Sequence, residues 1–326
     1  MAWFKGPRLA RAAEGAMLFR PTMYGYEDET GTEAAYLEYV TVPNNSRLIP
    51  ARQEYMNTEM QSFTASDGLK LSYAIDDYTD PWRKADTLVL VHAAMGSSRR
   101  FYAWVPHLAR DFRVVRLDQR GHGQSGIPTA EQMSFKRLGM DVVELLDHLG
   151  LASVHLAGSS AGGIVSQSVA IGYPARVKSL ASFAAPPGMK VGRQDYNGWL
   201  AKIGAKGLAA FLRETIADRM DLKQVEPGFV DWFIAEAARN KVEALARFVP
   251  TVAVIDLTAD LKKIQCPTLI VAPGADPIHL IDEYELLRRE IRQCEFIVYE
   301  NLPHNITDTV PDRCAQELLR FLKSVS

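Results

Sequence analysis

The stretch Ser153-Val154-His155-Leu156-Ala157-Gly158-Ser159-Ser160-Ala161-Gly162-Gly163 constrains this chain more than any other. A short apolar run ends in Gly158-x-Ser160-x-Gly162, and a helical pattern of small residues follows from Ile164 to Ile171. The reading is strand, sharp turn, helix, with a serine at the apex. Such a turn crowds both the strand before it and the helix after it, so its neighbours must be small; glycines on either side leave the hydroxyl exposed. The helix that follows directs its unpaired N–H groups at the same point. Ser159 competes for the position, but only Ser160 has glycine on both sides at the required spacing. A Gly/Ser-rich turn without chemistry reads the same over five residues, so other segments must decide.

Those segments form an alternating series. Gln61 to Thr64, the Asp67-Gly68 turn and Leu69 to Ile75 read as an antiparallel hairpin. Thr87 to Val91 is a wholly apolar run, as expected for a strand buried on both faces. A helix is expected over Arg99 to Ala109, a strand over Phe112 to Leu117 and a helix over Phe135 to Leu149, closed by Gly150. Val154 to Ala157 and Val177 to Ala185 are further strands. The series resumes with a strand at Pro267 to Ala272, a helix at Ile281 to Ile291, a strand at Glu295 to Tyr299 and a helix at Pro311 to Leu322. Strands alternating with helices predict a mostly parallel sheet covered on both faces.

Between residues 186 and 264 no buried strand pattern occurs, and several helical stripes do: Leu208, Phe211, Leu212 and Ile216; Phe229, Trp232 and Phe233; Leu245, Phe248, Val249 and Val252. This segment is read as a helical insertion into an α/β core formed by 61–185 and 265–326. Residues 1–60 are read as an N-terminal arm, with a short amphipathic helix at Leu9 to Phe19 and a turn at Pro43-Asn44-Asn45. The arm is expected to pack on the main body; a homodimer contact or part of the substrate entrance is the sharper alternative.

With 47% apolar residues and a formal net charge of −2, the chain can bury a substantial core and offers no basic field for nucleic acid. Cys266, Cys294 and Cys314 are scattered, without metal-ligand spacing, and read as reduced thiols of a cytoplasmic protein. The start carries no signal-peptide pattern, and no run is long enough to span a bilayer, so no membrane partner is expected. The seven histidines show no ligand pairing; neither a metal nor another cofactor is expected.

A serine hydroxyl needs a base to take its proton and donors to hold an oxyanion. Ala272-Pro273-Gly274-Ala275-Asp276-Pro277-Ile278 follows the penultimate strand, and Asn301-Leu302-Pro303-His304-Asn305 follows the last. Both lie at the sheet edge where Ser160 sits and where open α/β sheets build their sites. Together with Asp118-Gln119-Arg120-Gly121-His122-Gly123-Gln124-Ser125, these motifs resemble the α/β-hydrolase superfamily over roughly residues 62–325. The resemblance implies an α/β-hydrolase fold whose helical insertion is a lid. It further implies Ser160 as nucleophile, His304 as general base and then acid, and Asp276 as the residue that orients and stabilises His304.

Where superfamily members usually carry His-Gly after the third strand, this chain has Val91-His92-Ala93-Ala94-Met95-Gly96. Oxyanion donors are expected from the main-chain N–H of Ala161 and of Ala94 or Ala93. Serine at the elbow argues against dehalogenase or epoxide-hydrolase chemistry, which uses aspartate there.

His92, Met95, Ser159, Trp199, Trp232, Phe233 and His279 are candidate pocket residues, although His92 also reads as a brace for its own loop. Asp118 and His122 are expected to fix the turn after their strand. His155 is read as a satisfied core histidine, and Asp256, Asp260 and Asp282 as alternative acids. The expected activity is hydrolysis of a small to medium, partly apolar carboxylic ester. The alternatives are a lactonase, acyl transfer to another acceptor, perhydrolysis, or a non-hydrolytic ligand receptor on the same scaffold.

Overall fold

An eight-stranded sheet carries the molecule, in the spatial order β10-β9-β8-β7-β5-β6-β4-β3. The computed structural model describes residues 23–27, 33–37, 59–189 and 195–326. Two compact units are distinguished, Met1–Tyr55 and Met56–Ser326. In the first, β1 (Met23–Glu27) pairs antiparallel with β2 (Glu33–Leu37), a pairing that the sequence pattern did not suggest. The expected helix at 9–19 and the turn at 43–45 lie outside the described residues.

In the second unit, β3 (Met60–Thr64) and β4 (Lys70–Asp76) form the expected hairpin, and β4 pairs antiparallel with β6 (Arg113–Asp118). β5 (Thr87–Val91), β7 (Val154–Ser159), β8 (Val177–Phe183), β9 (Thr268–Pro273) and β10 (Cys294–Tyr299) join β6 in a parallel array. β4 alone therefore runs against the other strands of the sheet. Every residue of β5, β7 and β9 is buried. That accounts for their apolar and small-residue composition, broken only at His155 of β7, since each is covered on both faces.

The expected helix at 99–109 is instead a 3₁₀ turn at Ser98–Phe101 followed by the short α1 (Val105–Leu108). Pro106 has no N–H to extend a helix from upstream and is tolerated only in a first turn, so the segment restarts there. α2 (Phe135–His148) opens with Ser134 as its N-cap, whose side chain accepts from the Arg137 N–H. α3 (Ala161–Gly172) follows β7 directly.

Between β8 and β9 stand α4 (Tyr196–Thr215), interrupted at Gly207 with φ 81°, α5 (Pro227–Ala237) and α6 (Val242–Ala253). The α6 stripe of Leu245, Phe248, Val249 and Val252 is buried as its spacing predicts. These helices belong to the same compact unit as the sheet. Their buried side chains Phe211, Leu212, Phe233 and Phe248 join one apolar cluster with Val89, Leu156 and Ile164.

α7 (Ile281–Glu290), α8 (Ile306–Thr309) and α9 (Pro311–Val325) complete the chain. α9 buries Cys314, Ala315, Leu318, Phe321 and Leu322 in the cluster on the other face of the sheet, with Leu88, Leu90 and Trp104. Among the described residues no helix is long and apolar enough to cross a membrane.

Candidate active site

The carboxyl ends of β5, β7, β9 and β10 converge on Ser160. The turn from β7 into α3 gives this serine φ 49° and ψ −121°, a backbone state that non-glycine residues seldom adopt. Its N–H donates to the Phe183 carbonyl at 2.8 Å, and its own carbonyl accepts from Gly163 and Ile164, so the turn is held from both sides. The flanking glycines answer to close approach: a Cβ at Gly158 would overlap the Gly162 backbone, and one at Gly162 would overlap the Val91 and His92 carbonyls.

Ser160 Oγ lies 2.9 Å from His304 Nε2, and His304 Nδ1 lies 2.7 Å from Asp276 Oδ2. The loop after β10 delivers the histidine and the loop after β9 the carboxylate. Asp276 also accepts from the Ile278 N–H at 2.8 Å and from the Tyr284 hydroxyl at 2.6 Å. Burial acts to raise this carboxyl, but the His304 charge and the hydrogen bonds from His304, Tyr284 and Ile278 outweigh it and hold Asp276 below its ordinary range. An ionised Asp276 accepts a hydrogen bond from the His304 Nδ1–H, which leaves the Nε2 lone pair facing the serine.

Of the other candidate acids, Asp256 accepts from the Thr258 N–H and Asp260 pairs with Lys263. Asp282 stands in the first turn of α7.

The Val91–Gly96 loop supplies the facing wall. The Ala93 carbonyl is gripped by His92 Nδ1 at 2.7 Å and by the Gly96 N–H at 3.1 Å. Because a trans peptide points its N–H opposite its carbonyl, anchoring that oxygen also fixes the direction of the Ala94 N–H. The N–H groups of Ala94 and Ala161 donate to no protein acceptor among the described residues. Met95, at φ 59°, is a strained position on this loop, as Ser160 is on its own turn.

His92 does not line the cavity beside Ser160, contrary to its candidacy as a pocket residue. Nδ1 donates to Ala93, Nε2 accepts from the Gln119 N–H at 3.0 Å, and both ring nitrogens are thereby used in bracing the loop. Its ring lies 5.1 Å from that of His122. Burial drives His92 down to about 4 and, reinforced by the His92 ring, His122 to about 3.

In an unfolded chain both imidazoles take up protons below about pH 6.5, whereas the folded protein refuses them. Stability should therefore be fully present above that pH and fall as pH drops. Between about pH 6.5 and about pH 5 the loss is about 1.5 kcal/mol per histidine. Urea unfolding measures it: His122→Gln should flatten the fall, and an unchanged slope would contradict this assignment.

The cavity beside Ser160 holds about 540 Å³, counted out to its mouth, and of the candidate pocket residues Met95, Trp199, Phe233 and His279 line it. His279 also hydrogen-bonds Glu283 at 2.8 Å, with its ring 5.7 Å from that of His304. Two further candidates are excluded from the lining. Ser159, one residue along the strand from the apex, is buried, with its hydroxyl 2.9 Å from that of Thr307. Trp232 packs edge-on against Tyr102 at 5.0 Å instead of turning inward.

Lining residues that sequence reasoning missed include Arg100, Met189, Arg219, Ile278 and Asn305. Arg100 stands in a 3₁₀ turn within a stretch that reads as a longer helix, and Arg219 closes a second 3₁₀ turn, so only the folded chain reveals where they face. Other motif residues behave as read. Asp118 accepts from the N–H groups of Ser98 and Gln124, and His155 bonds Ser179 inside the sheet.

A family model described as alpha/beta hydrolase fold matches residues 86–309. The chain is 30% identical over 232 residues to 3-oxoadipate enol-lactonase 1 of Acinetobacter baylyi, covering 68% of this chain and 84% of that protein. It is also 30% identical over 237 residues to a non-heme chloroperoxidase of Streptomyces lividans, covering 67% and 84%. Among solved structures, a hydrolase from Pseudomonas aeruginosa superposes with a TM-score of 0.72 at 28% identity, over 81% of this chain and 98% of that one.

Proposed function

The chain belongs to the α/β-hydrolase family and is a hydrolase, and from that premise we propose that it cleaves a carboxylic ester through an acyl-enzyme on Ser160. The observation that carries the proposal is the unbroken line of contacts from Ser160 Oγ to His304 Nε2 and from His304 Nδ1 to Asp276 Oδ2, at 2.9 and 2.7 Å. In the first half-reaction Oγ attacks the ester carbonyl carbon while Nε2 takes the hydroxyl proton. The N–H groups of Ala161 and Ala94 hold the oxyanion. The tetrahedral adduct collapses, the carbon–oxygen bond to the alcohol breaks, and His304 returns its proton to the departing alkoxide. Water then attacks the acyl carbon, its proton passing to Nε2, and the acid leaves as Oγ is reprotonated.

The helices between β8 and β9 act as the lid. Trp199 and Phe233 on that segment favour a small to medium, partly apolar substrate. A lactone differs only in keeping the alcohol attached to the product. That second reading is favoured by the likeness to the Acinetobacter enol-lactonase. The hydrogen-bonded serine, histidine and aspartate argue against a receptor without turnover.

Product analysis on a matched pair, a linear aliphatic ester and the lactone of the same chain length, tests the reading. A higher kcat/KM for the linear ester, with release of separate acid and alcohol, is expected. Preference for the lactone moves the assignment to the second reading, and turnover of neither defeats both.

A further inference from the structure

Two arginines, Arg100 and Arg219, line the apolar cavity beside Ser160. They are not equivalent. Arg100 is neutralised: its Nε donates to Asp308 Oδ1 at 2.5 Å and its Nη2 to Oδ2 of the same carboxylate. Arg219 is 6% exposed, yet no carboxylate lies within ion-pair distance of it among the described residues. Its Nη1 donates to the Thr215 carbonyl at 2.8 Å and to Thr215 Oγ1 at 2.7 Å. Its Nε and Nη2 meet no protein acceptor among the described residues.

Three other arginines show what that pair of nitrogens does in this protein. Arg100, Arg116 and Arg120 each use Nε and Nη2 as a fork on a single aspartate, namely Asp308, Asp76 and Asp141. In Arg219 the same fork is left open. Its guanidinium carbon lies 5.3 Å from the Trp199 ring and 5.4 Å from the Phe211 ring, contacts that shield it from water and only partly offset its charge. Burial pulls the group down to about 10, so it is still charged at neutral pH. The Arg219 carbonyl accepts from the Asn305 N–H at 2.9 Å, which ties this residue to the neighbour of His304.

The neighbouring Asp218 acts on Arg219 only through space, without an ion pair, and offsets part of its charge. A buried cation left so is costly unless a ligand supplies a partner, and a planar two-oxygen anion suits an open guanidinium fork best. We propose that Arg219 receives a free carboxylate of the substrate, so that the bond cleaved at Ser160 belongs to an ester or lactone carrying a second, ionised carboxyl group. The cleavage half of this statement rests on the hydrolase mechanism above; the anion site does not.

The discriminating substrates are the mono-4-nitrophenyl ester of glutaric acid and its neutral counterpart, in which the free carboxylate is a primary amide. The amide is nearly isosteric but turns an N–H toward the fork. After subtraction of spontaneous hydrolysis, wild-type kcat/KM should favour the carboxylate by about tenfold or more, and Arg219→Gln should bring the ratio near one. Arg219→Lys, which keeps the charge and loses the fork, should fall between. Taking the ratio within one protein cancels any loss common to both substrates, including misfolded material. A wild-type ratio of one, or a ratio that survives Arg219→Gln, overturns the proposal.

Calorimetric titration with glutarate separates this failure from that of the mechanism. Affinity should fall about tenfold or more in Arg219→Gln whether or not the serine turns over. If neither ester is hydrolysed while glutarate binding still depends on Arg219, the mechanism fails and the anion site stands. Equal glutarate affinity in both proteins removes the anion site.

Discussion

Replacing Ser160 by alanine should lower kcat for 4-nitrophenyl acetate on the order of 10⁴- to 10⁶-fold while the fold persists, and His304→Ala should do about the same. The reason is that the two side chains act as one device. Without the imidazole, the Ser160 hydroxyl has no acceptor at 2.9 Å for the proton it must lose. Without the hydroxyl, His304 has nothing of the protein's to activate. The double variant should therefore be hardly worse than either single one, and that non-additivity is the sharper sign of a shared step. Retained secondary structure by circular dichroism excludes unfolding as the cause. Alanine at 160 meets the same backbone strain at φ 49° as serine does, so little change in stability is expected alongside. Multiplying penalties, or Ser160→Ala turnover equal to wild type, would contradict the assignment.

Asp276→Asn should cost on the order of 10³- to 10⁴-fold in kcat with KM little changed. Every polar contact of this carboxylate is an acceptance: Oδ1 from the Ile278 N–H, Oδ2 from Tyr284 and from His304 Nδ1. An asparagine must set its NH₂ against one of these partners. The Ile278 N–H cannot reverse its role, whereas the Tyr284 hydroxyl can rotate and the His304 ring can move its proton to Nε2. The amide therefore settles with nitrogen toward His304, and the imidazole is locked in the tautomer that cannot accept from Ser160. Asp276→Glu misplaces the carboxylate but preserves its acceptor character, so it should retain more activity than the nearly isosteric asparagine. The reverse order would show that shape, not proton placement, is what Asp276 provides.

Strand positions and the turn at Ser160 were legible because their causes are local, whereas His304 and Asp276 were singled out by the resemblance of their loops to the superfamily. An unbroken apolar run such as Thr87–Val91 is what a strand covered on both faces requires, and Gly158 and Gly162 mark where backbones come too close for a Cβ. The break between Ser98–Phe101 and α1 was visible in principle at Pro106, but helical periodicity obscured it. The β1–β2 pairing was missed because Met23–Glu27 and Glu33–Leu37 show no clear alternation in sequence.

The cavity wall was legible only in part, for a different reason. Whether an aromatic side chain lines a cavity or packs on a neighbour depends on elements far away in the chain. Trp199 lines the cavity and Trp232 packs edge-on against Tyr102, although both stand on helices of the same insertion. Arg100 and Arg219 show the same dependence: what separates them is Asp308, which lies 208 positions beyond Arg100. Composition counts the charges but does not reveal which of them lacks a partner.

The Ser160 hydroxyl stands between the base that takes its proton and the carbonyl it attacks, and covalent capture tests this most directly. Treating the folded protein with a fluorophosphonate and mapping the adduct by peptide mass spectrometry should place a single modification on Ser160, lost in His304→Ala. A modification on another residue, or an unmodified protein that is demonstrably folded, would contradict it.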